Sequence, residues 1–214
     1  MQAIVLWGAG GHAKVVAQSL RRDGRWRVHG FIDDLNPQRA GEAFAGATEL
    51  GGRAALAEAR EAGIEALALV FGNNAARLAL ASELGALGWR FPAIVDPRST
   101  VADDVMLGEG SYIAAGAVLQ PGARIGVQTI VNTGAIVEHD CRVGDGVHLC
   151  PRVCLAGHVE VGSGAWVGAG AVVRDRVSVG DAAFVGIGAL VIADVPAGWL
   201  VHGHPARLIR KVDE

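Results

Sequence analysis

From Val95 to Val191 every sixth residue is Val, Ile or Leu, seventeen in succession: Val95, Val101, Leu107, Ile113, Leu119, Ile125, Val131, Val137, Val143, Leu149, Leu155, Val161, Val167, Val173, Val179, Val185 and Val191. If about a quarter of residues are of these types, chance gives such a run roughly once in ten billion trials, so the period is structural. Four residues after each runs a second register of small or β-branched residues, from Ser99 through Ala117, Thr129, Cys141 and Val159 to Ala189. An amphipathic helix does not repeat on a strict period of six. A branched aliphatic suits an inward site on a short pleated strand. A small residue suits a narrower site near a corner, and glycine (31 of 214 residues) suits a corner at positive φ.

Three such sides close a triangular coil of eighteen residues. About five coils, stacked at the ~4.8 Å spacing of paired strands, give a prism of roughly 25 Å. The register never slips, so no long loop interrupts the prism. An active site must then come from coil surfaces, the chain termini, another subunit or the preceding domain.

Residues 1–92 follow a different pattern. Ala3–Trp7, Val28–Ile32 and Ala66–Phe71 read as strands; His12–Arg22, Arg53–Ala62 and Ala75–Leu87 read as helices. This alternation predicts a small parallel sheet of Rossmann-like order. Gly8, Gly10 and Ala13 fit G-x-G-x-x-A, with Asp33 and Asp34 about twenty residues on, a spacing associated with nucleotide binding. Ninety or so residues are too few for both halves of a dinucleotide fold. NAD(P), a single nucleotide or nucleotide-sugar, and a tight turn without ligand are the readings open at this point. The first two share a mechanism, backbone N–H groups meeting phosphates at a helix N-terminus.

A formal charge of −3 without long runs of like charge argues against a nucleic-acid surface. The cluster Arg21, Arg22, Arg25 and Arg27 reads as a solvated helix C-terminus. No stretch approaches ~18 apolar residues, so no membrane span is expected, and Met1–Trp7 reads as a strand rather than a signal peptide. The three cysteines, Cys141, Cys150 and Cys154, form no CxxC, which fits reduced thiols in a cytoplasm. Cys141 fills a small-residue position of the repeat.

Polar residues stand out against the repeat, above all in Asn132-Thr133-Gly134-Ala135-Ile136-Val137-Glu138-His139-Asp140-Cys141. His148 follows His139 by nine residues, half a coil, and His158 follows it by nineteen, almost one full coil. His139 beside Asp140 suits general-base work, because imidazole titrates near neutrality and a carboxylate fixes its tautomer. Neighbours on a flat strand point to opposite faces, so direct pairing requires a corner. A solvated histidine on a coil edge is the other reading. The histidine spacings lack an H-x4-H pair, and no metal is expected. Arg207, Arg210 and Lys211, after the turn expected at Pro205, either meet an anionic ligand or are solvated.

Taken together, Gly8-Ala9-Gly10-Gly11-His12-Ala13-Lys14, Asp33-Asp34, Gly72-Asn73-Asn74 with Arg77, Asn132-Thr133, Glu138-His139-Asp140-Cys141, His148 and Gly203-His204-Pro205-Ala206 resemble one group across nearly the whole chain. That group is the bacterial sugar-nucleotide acetyltransferases related to the sialic-acid O-acetyltransferases. The resemblance implies a left-handed coil, a homotrimer, and acetyl-CoA held between adjacent prisms. It makes His139 the base that takes a proton from the sugar amine and Asp140 the residue that tunes it. Asn132, His148 and Gly157 are implied to line the acetyl-CoA cleft, with Gly203, Pro205, Ala206 and Arg207 toward the adenosine end. Gly8, Gly10, Gly11, His12, Asp33, Asp34, Asn73 and Asn74 are implied to hold the nucleotide-linked sugar.

The expectation is therefore a nucleotide-sugar-binding domain over 1–92, a left-handed β-helix acyltransferase domain over 93–193, and a CoA-contacting extension over 194–214. The expected reaction is acetyl-CoA-dependent N-acetylation of a nucleotide-linked amino sugar, at a 4-amino group, without a covalent enzyme intermediate. The nearest enzyme alternative is O-acetylation of a sialic acid or another sugar hydroxyl; a different class is a non-catalytic trimeric scaffold.

Overall fold

The computed structural model describes residues 1–212. It divides into two compact units, Met1–Pro97 and Arg98–Glu214.

The first unit is an α/β sheet. Its strands β1 (Gln2–Trp7), β2 (Trp26–Ile32), β3 (Ala43–Phe44), β4 (Ala47–Gly51) and β5 (Ala66–Leu69) are ordered β3-β4-β2-β1-β5. All pairings are parallel except β3 with β4. Ile4, Val5 and Leu6 are fully buried, the continuous apolar run of a central strand covered on both faces. Helix α1 (Gly11–Asp23) buries Ala13, Val16, Ala17 and Leu20, the i, i+3, i+4, i+7 stripe of an amphipathic helix. It stops at Gly24, whose φ of 70° lets its N–H reach the Leu20 carbonyl. Helix α2 (Ala55–Glu61) follows β4, and α3 (Asn74–Ala86) is capped by the Asn73 carboxamide oxygen, which accepts the Ala76 N–H at 3.0 Å.

Three of the four arginines at the end of α1 and just beyond it, Arg21, Arg22 and Arg25, are partnered rather than merely solvated. Arg22 donates to the buried Asp96 at 2.9 Å, Arg21 to the Ala45 carbonyl and to Gln18, and Arg25 to Asp23. The β3–β4 hairpin is absent from the sequence reading: its strands are short and carry no alternating apolar pattern.

In the second unit, two-residue strands recur every six residues from Thr100–Val101 to Leu190–Val191 and pair in parallel with the strand eighteen residues on, as Val118 does with Ile136. They form three sheets. The first runs from Thr100–Val101 through Ile136–Val137 to Leu190–Val191, and the second from Met106–Leu107 through Arg142–Val143 to Ser178–Val179. The third includes Tyr112–Ile113, His148–Leu149 and Phe184–Val185. Both inward registers are buried from Ser111 upward, whereas Ser99, Val101, Val105 and Leu107 in the first coil are only half-buried. Burying one such aliphatic contributes about 1.5–3 kcal/mol, so the ladder is the core. Thr129, the polar member, is satisfied: its hydroxyl donates to the Gly144 carbonyl at 2.7 Å and accepts the Val147 N–H at 3.1 Å.

At the corners, every sixth residue from Gly110 to Gly188 has positive φ. Among the described residues the series includes six that are not glycine: Gln128, Asp140, Arg152, His158, Arg176 and Ala182. The expected C-terminal tail is a hairpin, Trp199–Gly203 with Ala206–Lys211, that extends the third sheet around a His204-Pro205 turn.

Candidate active site

In the α/β unit the C-terminal ends of β1, β2 and β5 surround a cavity of about 730 Å³. It is lined by Gly8, Gly10, Gly11, His12, Asp33, Asp34 and Asn73, seven of the eight residues singled out from the sequence for the nucleotide-linked sugar. The eighth, Asn74, accepts a hydrogen bond from the Arg77 guanidinium at 3.0 Å. Gly8 is required here: its φ is +126°, and a Cβ would stand 2.9 Å from the Val70 carbonyl oxygen. No acidic side chain stands in the first turn of α1, whose N-terminal N–H groups open at this turn.

The charges around the cavity are unequal. Asp33 accepts from the Leu35 N–H and from Asn36, each at 3.0 Å, and Asp34 accepts from the Arg53 N–H at 2.6 Å. Arg77 is buried, donates to the Phe71 carbonyl at 3.0 Å, and is pushed down to about 10 by burial, so it stays charged at neutral pH. His12 is pushed down to about 4 by burial and then by Arg77, so its imidazole is neutral. Arg39, a lining cation missed by the sequence reading, pairs at 2.6 Å with Glu49, whose carboxyl burial pushes up.

In the coil, His139 and Asp140 occupy the edge between the first and second sheets. Asp140 has φ 60°, and this bend turns both side chains to one side, so that His139 Nδ1 and Asp140 Oδ2 meet at 2.8 Å. Both are about half exposed. The hydrogen bond from His139 holds the Asp140 carboxyl below the usual range. Gly157 lies against the other side of the ring: a Cβ there would stand 2.7 Å from His139 Nε2, so only glycine leaves the imidazole its place. His158 lies one coil above Asp140, its ring centroid 5.1 Å from that of His139 and its Nε2 3.7 Å from Asp140 Oδ2.

Asn132 and His148 form a second polar pair, Nδ2 to Nε2 at 3.2 Å. Leu149 points inward, so His148 projects outward from the third sheet, where Trp166 covers it at a ring separation of 4.3 Å. The third sheet is the side of the triangle opposite the edge that carries His139. One prism therefore brings His139 to Asp140 and His158, and Asn132 to His148, but keeps the two groups on opposite sides. Gly203 and Ala206 pair across the terminal hairpin, and Pro205 sits in its turn; Arg207 is exposed beside it.

A model of the PglD N-terminal domain matches residues 3–84. Among solved structures, a His→Asn mutant of perosamine N-acetyltransferase from Caulobacter crescentus, in complex with CoA and GDP-perosamine, is 37% identical. It covers 99% of this chain and 98% of its own, with a TM-score of 0.93. The acetyltransferase domain of PglB from Neisseria gonorrhoeae FA1090, in complex with acetyl coenzyme A, is 32% identical over 97% of this chain and 99% of its own, with a TM-score of 0.89. The chain belongs to the sugar-nucleotide N-acetyltransferases of the left-handed β-helix, hexapeptide-repeat type. WeeI from Acinetobacter baumannii AYE is a further relative, at 28% identity over 98% of this chain and 100% of its own, with a TM-score of 0.77. A comparison with curated proteins gives no match.

In this acetyltransferase the thiols are not placed for nucleophilic work. Cys141 and Cys150 are buried, and desolvation pushes them up to about 11 and about 12. No helix among the described residues is long and apolar enough to cross a membrane. Among those residues, His139, Asp140 and His158 are a group whose donor atoms lie within 4.8 Å of one another, a spacing a metal ion could use.

Proposed function

We propose that the protein transfers the acetyl group of acetyl-CoA to the amino group of a sugar carried on a nucleoside diphosphate, with His139 as general base. The hydrogen-bonded His139–Asp140 pair on an exposed edge carries this reading, together with full-length similarity to an enzyme solved with CoA and GDP-perosamine. With Nδ1 engaged by the carboxylate, Nε2 is the atom left to accept a proton. As the amine nitrogen attacks the thioester carbonyl, its proton passes to Nε2. The carbon–sulfur bond then breaks, and CoA leaves as a thiolate that is reprotonated. A positioned base of this kind contributes about 10²–10⁴ in rate.

The α/β cavity is assigned to the nucleotide: the N-terminus of α1 at the glycine turn and the buried Arg77 favour a diphosphate. Asp34, at the end of β2, is assigned to ribose hydroxyls, the role of the acidic residue in related folds. Asn132 and His148 are assigned to the thioester carbonyl, where donors fixed in advance stabilise the developing oxyanion. Since one prism holds them opposite His139, this assignment requires a second copy to complete the site, and a homotrimer is the assembly proposed. Three free cysteines, two of them buried, fit a cytoplasmic location.

The test is incubation with acetyl-CoA and a panel of GDP-, UDP- and dTDP-linked amino sugars, read by mass spectrometry before and after hydroxylamine. The expected product gains one acetyl group and keeps it. An acetyl group that hydroxylamine removes would make the enzyme an O-acetyltransferase, and no gain from any substrate would sink the assignment.

A further inference from the structure

His158 has no part in the reaction proposed above, yet it is held at a left-handed corner beside the His139–Asp140 pair. Asp140 and His158 are eighteen residues apart, so they occupy the same corner of successive coils, with φ of 60° and 58°. Glycine takes this conformation freely, whereas other L-residues lose roughly 1–2 kcal/mol, and eight of the fourteen corners from Gly110 to Gly188 are glycine. A histidine held at such a corner points to use of its imidazole.

The group it completes has the chemistry of a metal site: two imidazoles and one carboxylate, on rigid coil edges and open to solvent. Asp140 Oδ2 stands 2.8 Å from His139 Nδ1 and 3.7 Å from His158 Nε2. Donors around a tetrahedral zinc at ~2.0–2.2 Å lie about 3.3–3.6 Å apart, a separation these two distances bracket. Two nitrogens and an oxygen suit zinc and its first-row neighbours, whereas magnesium prefers an all-oxygen shell. A half-exposed edge leaves the fourth position to water.

We propose that His139, Asp140 and His158 bind a divalent transition-metal ion of the zinc type, and that its binding silences acetyl transfer. The binding stands on geometry alone; the silencing rests on His139 being the base, because the metal takes the imidazole nitrogen that faces Asp140 and holds the ring against the proton transfer.

Calorimetric titration of the purified full-length chain with zinc chloride tests the site, with cobalt(II) absorption as a second readout of coordination. One ion per chain with micromolar affinity is expected, weakened at least about tenfold, the loss of one of three ligands, in His158→Gly and in His139→Ala. His158→Gly suits this corner's backbone, so a thermal midpoint at or above the parent value accompanies the loss of metal. Unchanged zinc affinity in His158→Gly, as adventitious binding at His202 and His204 would give, overturns the site, as does the absence of binding. Acetyl transfer is then followed with and without zinc, each variant's own zinc-free rate serving as reference. Inhibition reversed by a chelator in the parent chain and weakened in His158→Gly supports the silencing. Zinc bound at this corner with undiminished transfer overturns the silencing, and the base assigned to His139 with it, while leaving the site in place.

Discussion

Around the cavity of the α/β unit, Gly8, Asp33, Asp34 and Asn73 arrive from separate strand ends, and each depends on a different local device: a turn at positive φ, two carboxylates with backbone partners, a helix cap. At the edge of the coil, Asp140 and His158 meet because they are eighteen residues apart on a trace that repeats. The first kind of site is assembled by connections that vary, the second by substitution into positions that do not. A fault in the α/β unit should therefore disturb its cavity, whereas a corner of the coil should accept changes of side chain with the trace intact.

The largest effect expected is on the corner. His139→Ala should lower kcat by about 10²–10⁴ and leave circular dichroism and the thermal midpoint unchanged, since the ring is half exposed and holds no coil together. A loss of fold in that variant would break the contrast. Next come the two cores. Leu155→Ala in the coil and Leu67→Ala in the sheet each remove a fully buried leucine and should cost about 2–5 kcal/mol in denaturant unfolding. The contrast is sharpened if Leu67→Ala also weakens GDP binding and Leu155→Ala does not.

A smaller effect follows from His12, pushed down to about 4 by burial. As pH falls below the ordinary histidine value, near 6.5, the unfolded chain takes up this proton, while the folded chain resists until about pH 4. Stability present at neutral pH is lost across that window, by about 1–3 kcal/mol after allowing for partial solvent screening. Urea unfolding of the parent and of His12→Gln at neutral pH and near pH 4.5 isolates the contribution; equal losses in both would remove it. The smallest expected change is a gain. Ala182→Gly, at φ 51°, should stabilise the coil by about 0.5–1 kcal/mol, the left-handed cost relieved less the extra freedom of the unfolded chain.

The coil was legible in the sequence because its period is written in residue type, down to the corner that His139 and Asp140 need in order to pair. The stacking of His158 over that corner followed from the same count. The glycine turn and the two aspartates were legible as a motif. Arg39 and Glu49 were not: Arg39 lies in the turn before the β3–β4 hairpin and Glu49 on β4, whose residues carry no alternation, and a buried carboxylate at position 49 has no sequence signal apart from the partner that covers it. Resemblance implies Gly157 as a neighbour of acetyl-CoA, but its fit against the His139 ring depends on a contact between successive coils that residue type does not encode.

The six-residue recurrence of left-handed corners from Gly110 to Gly188 gives the prism three vertical rows of pegboard holes. Whatever is fitted into a hole lands one strand spacing, ~4.8 Å, above or below the next in its row. Pairs of chemical groups placed eighteen residues apart thus come with their separation already set, so new binding edges could be written into this scaffold by arithmetic on residue numbers.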